Sequence, residues 1–192
     1  ERCLIDVRPE VPRIGLLTTW NSRCGIALYA RHLAGQYEPE YHVFAPHVDD
    51  FLAPDADNVV RCWHLEHDDL RELAEQLHAR QIDTLLIQFQ YGFFDFNALR
   101  VFLQEIIGAG IRFRVIFHAT TDCPGKQLAD LAPSLMLANT LYVHSPRDLD
   151  ALAAVGLVDN VELFPHGVLD IPPRGEQVAL PAGRLVLATY GF

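Results

Sequence analysis

The 192 residues suffice for one well-buried core and would cramp two full domains. Half are hydrophobic and 21% are charged, the balance of a globular chain, and no apolar run approaches the length of a bilayer span. A formal charge of −10 excludes the basic footprint that nucleic-acid binding demands.

In chain order, Arg13–Thr19 predicts a first strand and Gly25–Gly35 the helix after it. Tyr41–Ala45 and Val59–Leu65 predict two further strands, separated by the acidic, proline-bearing loop Pro46–Asn58. Within Asp68–Arg80, Leu70, Leu73, Ala74 and Leu77 recur at the spacing of one buried helical face. Thr84–Phe89 reads as a buried strand, and Leu99, Phe102, Leu103, Ile106 and Ile107 as a helix ending at Gly108 or Gly110. Phe113–Phe117 is the next strand, followed by a helix over Gly125–Leu137 that Pro133 kinks or shortens. Thr140–His144 runs into Ser145-Pro146-Arg147-Asp148, which offers an N-cap, a proline at the first helical position and an acid in the first turn. A helix is expected from there to Gly156, then a strand over Val161–Phe164. Ile171–Gly183 reads as a linker and Arg184–Tyr190 as a strand beyond it. Alternating strands and helices imply a doubly wound, Rossmann-like α/β domain with a parallel sheet and helices on both faces.

Such sheets bind ligands beyond the carboxyl ends of their strands, so the residues there are the candidates. Asn21, Arg23, Cys24 and Gly25 follow the first strand, where a helix N-terminus can hold an anion. The same glycine also suits a plain strand-to-helix turn. Gln90, Tyr91 and Gly92 follow Phe89 and offer hydrogen bonds and a stacking face, whereas Phe93 and Phe94 suit a hydrophobic plug. His118 ends another strand with Asp122 close behind, and His144-Ser145 and His166-Gly167 end the next two. Three histidines on one edge raise the question of a metal, but no H-x-x-x-H or H-x-D spacing supports one. The expected metal set is therefore empty. Neither G-x-G-x-x-G nor G-x-S-x-G occurs, which weakens a nucleotide-dependent oxidoreductase and a hydrolase of the elbow type. Cys3, Cys24, Cys62 and Cys123 form no C-x-x-C pair and read as reduced thiols of a cytoplasmic protein.

Taken in order, Arg13-Ile14-Gly15-Leu16-Leu17-Thr18-Thr19-Trp20 with Cys24-Gly25-Ile26-Ala27, Ile87 to Phe94, Ile116-Phe117-His118, Tyr142-Val143-His144-Ser145 and Phe164-Pro165-His166-Gly167-Val168 carry a resemblance. They resemble the N-terminal domain of GT-B fold glycosyltransferases of family 4, and Leu187 to Phe192 resembles the first strand of that fold's second domain. The resemblance implies a Rossmann-like domain over residues 1–170, a linker over 171–183, and over 184–192 the start of a donor-binding domain. It implies a nucleotide-sugar donor as substrate and no cofactor, with metal-independent transfer that retains anomeric configuration. Gly25 would approach the donor diphosphate, His118 would hydrogen-bond the donor sugar, and Ser145, His166 and Gly167 would line the site. The implied partners are the chain's own C-terminal domain and a glycan or glycolipid acceptor, in cell-envelope polysaccharide synthesis at the inner face of the membrane. The loops Pro46–Asn58 and Phe93–Asn97 are the expected acceptor surface. The chain reads as excised at both ends and inactive alone. The sequence departs from the family where relatives often have His-Glu and this chain has Phe89-Gln90. A glycosyltransferase-like module that binds a glycan or partner without chemistry is the alternative.

Overall fold

The computed structural model describes residues 12–36 and 40–167. Seven parallel strands form one sheet: β1 (Ile14–Leu17), β2 (Tyr41–Pro46), β3 (Val59–Trp63), β4 (Thr84–Phe89), β5 (Arg112–Phe117), β6 (Thr140–Val143) and β7 (Val161–Leu163). Their order across the sheet is β3-β2-β1-β4-β5-β6-β7. The helices are α1 (Gly25–Ala34), α2 (Arg71–Ala79), α3 (Phe96–Gly108), α4 (Ala132–Leu135) and α5 (Pro146–Ala154). The chain is a Rossmann-like α/β fold, as the alternation of periods predicts.

Right-handed crossovers put helices on opposite faces according to the direction in which the chain moves along the sheet. From β1 the chain steps to β2, which sets α1 on one face; from β3 onward it steps the other way. The packing follows suit. Leu17, Phe44, Leu85, Ile87, Phe113 and Leu141 point into a large core with residues of α2, α3, α4 and α5. The alternate positions Leu16, Val43 and Ala45 pack on Ala30 and Ala34 of α1 in a smaller core. Gly15 sits where the larger core is tightest: a Cβ there would lie 2.8 Å from the Phe44 ring and 2.9 Å from Leu85. Overpacking of that kind typically costs 1–3 kcal/mol.

Three expectations change against the structure. Helix α2 begins at Arg71, because the Asp68 and Asp69 carboxylates accept the Leu70 and Arg71 N–H groups and Leu70 adopts φ 58°. Over 125–137 only the four residues of α4 are α-helical, after a 3₁₀ turn at Leu128–Asp130. Pro133 lies in the first turn of α4, where its missing N–H costs nothing, so it starts that helix instead of kinking a longer one. The Phe93–Asn97 segment is not an open acceptor loop: Phe93, Phe94 and Phe96 are buried, Asp95 caps α3 through the Ala98 N–H at 2.9 Å, and Asn97 is already helical. By contrast, Ser145 caps α5 with Pro146 at its first position, as expected. The expected linker and second-domain strand lie outside the described residues. Among those described, no helix is long and apolar enough to cross a membrane.

Candidate functional site

The strand order reverses between β1 and β4, so the connections leaving these two strands diverge and open a crevice above their carboxyl ends. A cleft of about 1370 Å³ lies there, lined by the first turns of α1, the Gln90–Phe93 turn, His118 and His166. A second, apolar groove of about 390 Å³ lies along the α1 face of the sheet between Leu33, Leu86, Ile116 and Tyr142, away from these polar groups.

One wall of the cleft is the start of α1. Its N-cap, Cys24, has extended backbone and offers no side-chain hydrogen bond to the first turn. The Cys24 thiol sits 3.4 Å from the Thr19 hydroxyl instead. The first N–H groups of the helix thus have no side-chain cap at the cleft, the arrangement that favours an anion.

The opposite wall comes from strand register. Gln88 pairs with Ile116, and Ile116 with Tyr142, so these positions share the α1 face of the sheet. Two residues on from Ile116 and Tyr142, on the same side by the period of two, are His118 and His144. His166, after β7, completes the group: a ring nitrogen from each of the three histidines lies within 4.8 Å of the others. The His144 and His166 rings stack at 3.7 Å, and His118 lies 5.2 Å from His144. Tyr29 of α1 packs edge-on against all three rings at 5.1–5.7 Å.

The hydrogen bonds of this group are incomplete. His118 Nε2 bonds the side-chain oxygen of Gln88, which is wholly buried. With an oxygen facing it, Nε2 carries the proton, and Nδ1 keeps the lone pair. His144 Nδ1 donates to the Phe164 carbonyl at 2.7 Å, which leaves the lone pair on Nε2. Among the described residues, the Tyr29 hydroxyl, the Gln88 amide nitrogen and His144 Nε2 are buried without a partner. Burial first, and the neighbouring His144 and His166 rings next, push His118 down to about 4. His166 is lowered by burial and by His144, with Asp148 opposing. Both are neutral near pH 7. Burial also raises the Tyr29 phenol, which stays protonated.

The structure divides the sequence-predicted residues in two. Cys24, Gly25, Gln90, Gly92, His118, His166 and Gly167 line the cleft. The others serve the scaffold or stand apart. Asn21, in the left-handed region at φ 48°, donates to Asp55 at 2.8 Å. Arg23 is exposed and, among the described residues, reaches Asp50 at 3.9 Å. The buried Tyr91 donates its hydroxyl to Asp122 at 2.8 Å, and Asp122 also accepts the Leu128 N–H, so the pair pins a turn. Ser145 donates to Asp148, which Thr120 also bonds, both at 2.6 Å. Burial alone would raise the Asp148 carboxyl, but these hydroxyl bonds outweigh it and hold the group below its ordinary range. Gln90 turns its side-chain oxygen onto the Gly92 N–H, capping the Tyr91–Phe93 turn. Sequence reasoning did not single out Tyr29, although a lone tyrosine among the alanines Ala27, Ala30 and Ala34 of a first helix was a visible signal.

No protein-family model matches this chain, and no curated protein sequence matches it.

Proposed function

We propose that this chain is the N-terminal, acceptor-side domain of a cytoplasmic glycosyltransferase. In this reading the enzyme moves a sugar from a nucleotide donor to a glycan or glycolipid acceptor in cell-envelope polysaccharide synthesis. The observation that carries the reading is the cleft at the strand-order reversal, where the uncapped N-terminus of α1 faces His118. In sugar transfer the acceptor hydroxyl oxygen forms the new bond to the anomeric carbon, while the nucleotide phosphate leaves with the old bond's electrons and takes up the hydroxyl's proton. The N–H groups and dipole at Gly25 suit the diphosphate's growing charge, so this step asks for no metal ion. His118, neutral and anchored by Gln88, keeps Nδ1 free to accept a hydrogen bond from a donor-sugar hydroxyl. The ordered motifs that resemble family 4 transferases add to the reading, and the donor half belongs to the second domain that this resemblance implies.

The test is nucleotide release by the full-length protein from UDP-, GDP-, ADP-, dTDP- and CMP-sugars with a glycan acceptor. One donor should be turned over, and His118→Ala should lower that turnover roughly 100-fold, the scale of one lost transition-state hydrogen bond in a dry site. Unchanged turnover in His118→Ala would remove the residue from the site. One observation favours a binding module without chemistry: Asn21, Tyr91, Asp122 and Ser145 spend their polar groups inside the fold. Glycan binding with no nucleotide release would select that module.

A further inference from the structure

The cluster of His118, His144 and His166 does something that sugar binding does not require: it brings three neutral-capable nitrogen donors from three successive strand ends into one place. We propose that these histidines form a binding site for a single divalent transition-metal ion of the zinc type, with one coordination position open to the cleft.

Four observations carry this. The first is convergence, since the three candidate ligand nitrogens lie within 4.8 Å of one another. Tetrahedral ligands at a zinc–nitrogen distance of about 2.1 Å stand roughly 3.4 Å apart, so binding must close part of that gap. The His166 ring is stacked on His144 at 3.7 Å, so it must also turn out of that stack to point its lone pair at the ion, a movement of an exposed side chain. The second is the outer hydrogen bonding. Metal-bound histidines characteristically donate their other ring N–H to a carbonyl or carboxylate, which fixes the tautomer. His144 does so to the Phe164 carbonyl and His118 to the Gln88 side chain.

The third observation is the orphaned nitrogen. Among the described residues His144 Nε2 is buried without a partner, and a buried lone pair left unpaired has an energetic cost that a cation would remove. The fourth is the nature of the donors. Imidazole alone suits Zn²⁺, Co²⁺, Ni²⁺ or Cu²⁺, whereas Mg²⁺ and Ca²⁺ want oxygen. The nearby carboxylate, Asp148, is already bonded by Thr120 and Ser145.

The inference rests on the cluster and not on the transferase reading, with which it competes for His118. With one His118 nitrogen bonded to Gln88, an ion on the other would leave that ring none for a sugar hydroxyl, so metal and sugar exclude one another there.

The experiment strips the full chain with EDTA, removes the chelator, and titrates it with Zn²⁺ by calorimetry and with Co²⁺ by visible absorption. One equivalent should bind, Co²⁺ should give intense tetrahedral bands, and Mg²⁺ and Ca²⁺ should not compete. His166→Ala and His144→Gln should each weaken Zn²⁺ binding tenfold or more. Because His166 is exposed, its variant reports on ligation without disturbing the core. The surface pair His47 and His64, stacked at 4.6 Å, is the competing site for adventitious zinc. The double variant His47→Ala/His64→Ala should keep the equivalent. Failure to bind one equivalent, or binding that vanishes with His47 and His64 while surviving in His166→Ala and His144→Gln, would overturn the proposal.

Discussion

Two polar clusters sit beyond the same row of strand ends, and they are built on opposite terms. On the β3 side, Arg61 forms two hydrogen bonds to Asp55, at 2.8 and 3.1 Å, and further bonds to the Pro46 and Trp20 carbonyls, while Asn21 donates to Asp55. Every polar group there answers another. Burial would raise the Asp55 carboxyl, but its bonds with Arg61 and Asn21 win and lower it. On the β5–β7 side, three histidines, Tyr29 and Gln88 pack together yet leave buried atoms of Tyr29, Gln88 and His144 unpaired. Native proteins pair nearly all such groups, so a concentration of exceptions needs an explanation. A closed network ties a loop to the sheet, and an open one keeps capacity for a ligand. Both of our functional proposals fall on the open side for this reason.

The comparison can be broken by deletion. The largest effect should come from Arg61→Ala, which takes the ion partner from the Asp55 carboxylate and frees two carbonyls. We expect a loss of roughly 3 kcal/mol, read from the urea midpoint, the upper end of the scale for hydrogen bonds to a charged group. A change below about 1 kcal/mol would mean that the network is ornamental.

The next effect is acid sensitivity of the open cluster in EDTA-treated protein. His118 titrates near 4 when folded and at its ordinary 6.5 when unfolded, so between those values the unfolded chain binds more protons. Stability should therefore be full above about pH 6.5 and fall as the pH drops toward 4, by at most about 3 kcal/mol. His118→Gln should flatten that fall, measured as the midpoint against pH; an equal fall in the variant would show that His118 does not cause it.

Asn21→Ala should cost about 2 kcal/mol, the worth of an exposed bond to a charged partner plus a left-handed backbone that alanine resists. Smallest of all should be Tyr29→Phe. Removing a buried hydroxyl that has no partner should change unliganded stability by less than about 0.5 kcal/mol in thermal melts, and any change should be a gain. A loss comparable to that of Asn21→Ala would show that the hydroxyl is satisfied after all and would erase the contrast.

Much of the fold was legible because local signals and tertiary placement agree. Thr84–Phe89 is a short run, apolar but for Thr84 and Gln88, as suits a strand covered on both faces. The Ser145-Pro146-Arg147-Asp148 start works through chemistry confined to four residues. Pro133 was harder, because proline's effect depends on whether it opens a helix or interrupts one, and residues well before it decide that. The site was half legible for a related reason. Parity along β5 and β6 brings His118 and His144 to one edge, and that follows from strand ends alone. Whether a polar residue at such an edge faces the cleft or an internal partner depends on what folds beside it. Asp122 meets Tyr91 across 31 positions, and Asn21 meets Asp55 across 34, distances at which no spacing rule operates. Motif spacing fails for the histidines too. Rules such as H-x-x-x-H describe ligands on one helix, whereas these come from the ends of separate strands.

The central claim is that ligands enter at the open cluster, and histidine side-chain NMR of the full-length protein tests it most directly. The nitrogen resonances of His118, His144, His166, His47 and His64 would be followed while the nucleotide-sugar panel is added. The account predicts that the donor which is turned over shifts His118 first, with its stacked neighbours following, while His47 and His64 hold still. Saturable donor binding that leaves all three clustered histidines unmoved would contradict it.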